Sequence, residues 1–152
     1  MRILFIFMFC LTSFSAFAGA CSLTSLNGKW MTVKSNAYTG THTRCIVTIS
    51  SGSFTGTCYD RYNNGSPGGY TSSSYAASNG KVTQVSSINS CLFTFTATMA
   101  GSIKISGDMV LAQDGYTTHG YFFKDSYDYH SGPFTAVKVP WNLFDMHQQM
   151  RA

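Results

Sequence analysis

Glutamate is absent from this chain, and only 11% of its residues carry charge. The six acidic residues are all aspartate. Hydrolysis by paired carboxylates therefore has little to draw on; Asp125 and Asp128 are the nearest pair and have no supporting context. Despite a net charge of +4, no run of Lys or Arg occurs. The scattered basic residues speak against a nucleic acid or an anionic membrane as partner. Beyond the N-terminal segment no apolar run is long enough to cross a bilayer as a helix. Helical periodicity is nearly missing, and 145–150 is the only helix candidate. The motifs G-x-S-x-G and H-E-x-x-H and the phosphate loop do not occur. His42, His119, His130 and His147 lack metal-ligand spacing and read as surface or loop residues. These absences point away from an enzyme, a metal and a cofactor.

Serine, threonine, glycine and aromatic residues are plentiful, the last at 15%, which suits an exported all-β protein. A length of 152 residues provides for one domain with a core. Residues 1–20, MRILFIFMFCLTSFSAFAGA, carry an early Arg, an apolar run and small residues at the end. They read as a secretory signal peptide, leaving 21–152 as a single barrel domain. Ala16-Phe17-Ala18 and Ala18-Gly19-Ala20 both fit ordinary cleavage, which predicts a secreted or periplasmic protein. Ala18-Gly19-Ala20-Cys21 also reads as a weak lipobox, and lipidation of Cys21 would anchor the protein to a membrane. Ordinary cleavage leaves Cys21, Cys45, Cys58 and Cys91, an even set for two disulfides, and this parity favours it. Cys10 departs with the leader.

Strand patterns occur at 29–38, 44–50, 53–62, 69–76, 91–99, 102–111, 116–123 and 133–141, with 84–88 as an addition to the connection after the fourth. Turn chemistry separates them: the NNGSPG run at 63–68, Asn79-Gly80, Ala100-Gly101 and Asp114-Gly115. A meander of short strands protects its edges most simply by closing on itself. The expected fold is all-β, an eight-stranded antiparallel up-and-down barrel of avidin or lipocalin type, with a sandwich as the alternative.

The stretch RCIVTISSGSFTGTCYDR (44–61) fixes a register. With Ser51-Gly52 as a two-residue turn, Ser50 faces Ser53 and Cys45 faces Cys58. Counting outward from the turn puts the cysteines on a non-hydrogen-bonded pair, within disulfide reach. Cys45, Val47, Ile49, Phe54, Gly56 and Cys58 then share an apolar, inward face. A metal site lacks companion ligands, and free thiols conflict with an exported compartment. Cys21 and Cys91 form the second pair by elimination.

Four segments resemble the avidin and streptavidin family in order along the chain. CSLTSLNGKW (21–30) resembles the first strand of that family and GSFTGTCYD (52–60) the third. Gly107 followed by Asp114-Gly115 matches the spacing of the sixth and seventh strands, and TAVKVPWNLF (135–144) resembles the last. The resemblance implies a ligand pocket at one barrel mouth, biotin or a biotin-like compound as ligand, and a homo-oligomer. Residue by residue, it places Asn142 on a ligand-contacting Asn of the family. Thr32 and Asn36 fall on an Asn and a Ser, Cys58 on a tyrosine and Asp60 on a threonine. Phe122 and Phe134, with Ala97, fall near the pocket tryptophans, and Trp30 matches the floor tryptophan. Trp141 has no counterpart.

Taken without the resemblance, Thr32, Lys34 and Asn36 share a face with Trp30, as a polar pocket wall or as a strand end turning to solvent. Asp60, beside Arg61, reads as a solvated loop carboxylate. Alternation should turn every second aromatic of 120–134 inward. Asn64-Gly65-Ser66 is a glycosylation sequon where the pathway is eukaryotic. Two functions follow. One is a non-enzymatic barrel binding a small ligand at its mouth. The other is a barrel with a closed pocket, whose loops 63–69 and 124–132 bind a protein.

Overall fold

The computed structural model describes residues 21–36, 41–63, 70–85, 91–124 and 131–140. A short 3-10 turn (Leu23–Leu26) precedes eight strands: β1 (Gly28–Asn36), β2 (Thr41–Ser50), β3 (Ser53–Asn63), β4 (Tyr70–Gln84), β5 (Leu92–Met99), β6 (Ile103–Leu111), β7 (Thr117–Lys124) and β8 (Gly132–Lys138). Each strand pairs antiparallel with the next, and β8 returns to β1, closing the barrel. Closure leaves no strand edge unpaired, and the barrel expected from the meander is the fold observed. The helix candidate at 145–150 lies outside the described residues.

The β2–β3 hairpin has the register read from its sequence, from Ser50 opposite Ser53 to Cys45 opposite Cys58. Ser51 and Gly52 both have positive φ, 48° and 77°, the twist that a two-residue hairpin requires. Ser51 N–H donates to Asn27 Oδ1 at 2.9 Å, tying this turn to the segment before β1. Cys45, Val47, Ile49 and Cys58 are buried, and Thr48, Ser50, Ser53, Thr55 and Thr57 are exposed. Both disulfides form, Cys45–Cys58 with Cα atoms 3.9 Å apart and Cys21–Cys91 at 4.9 Å. A Cys21 sulfur bonded to Cys91 cannot also carry a lipid thioether.

Strand β4 departs from expectation. It runs through Asn79-Gly80, where the sequence predicts a turn. Phe54 faces Gly80 and Gly56 faces Ala77, so β4 holds one extra residue against β3. Ser78 faces Thr98 and Lys81 faces Thr96, so the same residue is extra against β5. Asn79 has φ 52°. Asn-Gly chemistry serves a bulge as well as a turn, because both need one residue in the left-handed region. The bulge bends a 15-residue strand around the barrel.

The closed end is built around Leu26, Trp30 and Phe93, all essentially without solvent exposure. Trp30 Nε1–H donates to the Leu26 carbonyl at 2.6 Å, so the indole closes the floor with its polar edge satisfied. Gln84 Nε2 donates to the Cys21 carbonyl, and Lys138 Nζ donates to the Ser25 carbonyl at 3.2 Å. Together with the Cys21–Cys91 bridge, these bonds hold the N-terminal segment beneath the floor.

Candidate functional site

The barrel encloses a cavity of about 490 Å³. Its walls follow from the register. Near the end where β1 and β3 finish, Lys34, Thr43, Asp60 and Ser73 lie opposite one another in sequence across β1 to β4. One step inward lie Thr32, Cys45, Cys58 and Tyr75, and a further step brings Trp30, Val47, Gly56 and Ala77. Across β1 to β4 the lining therefore changes from polar at the mouth to apolar at the floor, while Met99, Ala100 and Ile103 line the mouth end of β5 and β6 with apolar surface. Such a gradient suits a ligand with a polar head and an apolar body.

At the mouth Asp60 gathers two donors on one oxygen. Thr43 Oγ1 donates to Asp60 Oδ1 at 2.6 Å, and the Tyr75 hydroxyl donates to the same atom at 3.0 Å. Burial, then the negative charge of Asp60 and this hydrogen bond, push the Tyr75 phenol above its ordinary pKa. Tyr75 is thus a protonated donor at neutral pH. Lys34 is 8% exposed, with Nζ 3.9 Å from the centroid of the Phe122 ring, a cation–π contact. Burial lowers its pKa to about 8, with Asp60 pulling the other way. Gly132 leaves room for this side chain, since a Cβ there would stand 3.2 Å from Lys34 Cε.

The apolar wall is a chain of aromatic rings seated on glycines. Phe54 meets Phe95 edge-on at 6.4 Å, and Phe95 meets Phe134 edge-on at 5.7 Å. Phe54 covers Gly80, Phe95 covers Gly107 and Phe134 covers Gly120; a Cβ on any of the three would enter the ring above it. Each glycine removes a side chain that would meet both the ring and a backbone carbonyl, so ring and strand can approach closely.

Of the residues expected at the site, Thr32, Cys58, Asp60, Phe122 and Phe134 line the cavity, and so does Lys34. Cys58 does so within the Cys45–Cys58 bridge, which forms part of the wall. Asn36 is the last residue of β1; its side chain and all of Asn142 lie outside the described residues. Ala97 is buried. Asp60 is not a solvated loop carboxylate: it lies on a strand, its side chain turned to the cavity and held by Thr43 and Tyr75. Arg61, its neighbour, is exposed, as strand alternation requires. Tyr121 and Phe123 face outward while Phe122 lines the cavity, following the expected alternation.

Sequence reasoning did not single out Thr43, Tyr75, Phe95 or Thr118. Tyr75 stands opposite Cys58, so a phenolic hydroxyl reaches the mouth from the strand beside the disulfide. Tyr75 lies within the strand expected at 69–76, but the serines at 72–74 before it carry no apolar alternation to mark its face. Thr118 lines the cavity, and its Oγ1 is buried with no hydrogen-bond partner among the described residues. A buried hydroxyl in that state costs about 1–3 kcal/mol and offers a ligand one polar contact within an apolar wall. Among the described residues no group of His, Cys, Asp or Glu is placed to hold a metal ion.

Comparison with protein-family models, curated proteins and solved structures gives no match. The likeness to avidins accordingly stands on the four short segments that carry it.

Proposed function

We propose that this protein is an exported barrel that binds a small molecule in its cavity without transforming it. The observation that carries this reading is the gradient inside one closed barrel, from the Lys34–Asp60–Tyr75 mouth to the phenylalanine wall. The ligand class that fits has a compact apolar or aromatic body and a polar head able to meet an ammonium, a carboxylate and hydroxyls. Biotin is the first compound to try, through the resemblance. Export is supported by the signal-like 1–20 segment and by two disulfides, which persist in oxidising compartments. A homo-oligomer is part of the same proposal, and the exposed Val110, Tyr121 and Phe123 offer it apolar outer surface. What favours ligand binding over protein binding through the loops is the volume of the cavity itself.

Titration with biotin, followed by calorimetry and by thermal unfolding, tests the reading. A compound that binds only the folded state raises the melting temperature; at a hundred times Kd the stabilisation is about 2.7 kcal/mol. The expected result is a saturable shift with biotin or with another compact amphiphile. No shift at millimolar biotin removes biotin as ligand, and no shift across a panel of such amphiphiles removes the ligand-binding reading.

A further inference from the structure

Lys34 is the only basic side chain among the described residues that lines the cavity. Its amine lies at the junction of the two zones, over the Phe122 ring and within the electrostatic reach of Asp60. One residue further along, on the solvent face, the amine would be hydrated and directed away from the cavity. Instead the sequence places it inward and leaves Gly132 to accommodate it. The walls beyond it are apolar and aromatic, so a ligand body held among Phe95, Phe122 and Phe134 would present its head group to Nζ.

We propose that Lys34 captures ligands bearing an aldehyde or ketone, covalently and reversibly, as an imine. The inference rests on the reading of the cavity as a small-ligand site and names the chemical class of that ligand. The Nζ lone pair forms a bond to the carbonyl carbon, the carbonyl oxygen takes up a proton, and a carbinolamine results. Loss of that oxygen as water leaves the C=N bond. The net change is amine plus carbonyl giving imine plus water, with no oxidant or reductant, and water reverses it. The titratable groups that face Lys34 from the strands around it, among the described residues, are Asp60 on β3 and Tyr75 on β4; β2 and β7 present Thr43 and Phe122. Asp60 is the counter-ion for a protonated imine, and the Tyr75 hydroxyl, bonded to Asp60, is a protic group beside it. Burial assists the addition, because an amine with pKa about 8 is roughly a quarter neutral at pH 7.5, against about a thousandth for an ordinary lysine.

The test uses the oxidised protein at pH 7.5, 2-naphthaldehyde as probe and cyanoborohydride to fix the imine, with 2-naphthylmethanol as the analogue that cannot form one. Peptide mapping should find Lys34 as the first lysine to be labelled, its adduct having the mass of the aldehyde less one oxygen. Lys34 should label at least about tenfold faster than the exposed Lys81 and Lys104, as its larger neutral fraction requires. The alcohol should suppress labelling at Lys34 alone, Lys34→Arg should abolish the adduct, and Lys104→Arg should leave it in place. If the alcohol binds saturably while the aldehyde labels lysines by exposure only, imine capture is overturned and the small-ligand reading stands. If neither compound binds saturably and labelling again follows exposure, the proposal falls, and the ligand reading loses an aromatic amphiphile that its walls should accept.

Discussion

At Lys34 burial and Asp60 act on the ammonium in opposite directions, and burial is the larger effect, bringing the pKa to about 8 from an ordinary 10.5. The sign of the pH dependence follows. Below pH 8 both folded and unfolded chains hold the proton, and the full desolvation cost weighs on the folded state. Between pH 8 and 10.5 the unfolded chain binds more protons, so this residue makes stability rise with pH. Tyr75 opposes it at the upper end: its folded pKa lies above the ordinary value of 10.0, so stability falls once the unfolded phenol ionises. The visible gain should therefore lie between about pH 8 and 10. Urea denaturation of wild type and Lys34→Met at pH 7.5 and 9.5 measures it. The wild type should gain more across this interval than the variant; equal gains would show that Lys34 titrates as an ordinary surface lysine.

Among the secondary elements, the pairing of phenylalanines with glycines on neighbouring strands decides whether the barrel is hollow. Gly120 lies under Phe134, and a Cβ there would stand 2.6 Å from the ring. The same Cβ would lie closer still to the Asp108 carbonyl on β6, so Gly120→Ala should displace that backbone as well as the ring and cost about 1–3 kcal/mol, as overpacking does. Denaturation and a binding titration on the same sample separate the two consequences: stability and ligand affinity should fall together. An unchanged affinity would place the ligand away from Phe134. The inward positions on either side of these rings were legible from the period of two. The bulge in β4 was not, because Asn79-Gly80 fits a turn locally, and only the length of closed barrel to be spanned by β4 selects the bulge.

Over the whole molecule, the two disulfides close loops of very different length, with sequence separations of 70 for Cys21–Cys91 and 13 for Cys45–Cys58. On the chain-entropy model the longer contributes about 4 kcal/mol and the shorter about 3. Paired alanine variants, unfolded in urea, should follow that order, with loss of Cys21–Cys91 the costlier because it also frees the segment carrying Leu26 from beneath the floor. The reverse order would mean that the barrel wall, not chain entropy, decides what each bridge is worth. The candidate site depends on this scale too. Thr43, Asp60 and Tyr75 are far apart in sequence, and their shared hydrogen bonds exist only because β2, β3 and β4 are in one register.

The sequence by itself determined the strand count, the β2–β3 register and, by the facing positions of its cysteines, the disulfide in that hairpin. These depend on side-chain alternation and a two-residue turn, which act over a few residues. It grouped Thr32 and Lys34 with Trp30 on one face of β1 but left open whether that face lines a pocket or turns to solvent. Only the tertiary structure decided that Asp60 turns to the cavity rather than to water, that Tyr75 and Thr118 join it there, and that the rings leave space between them. Those outcomes depend on which strands become neighbours when the barrel closes. The meander led to the expectation of closure, but which side chains meet across the cavity depends on the register of the whole sheet, which no local pattern encodes.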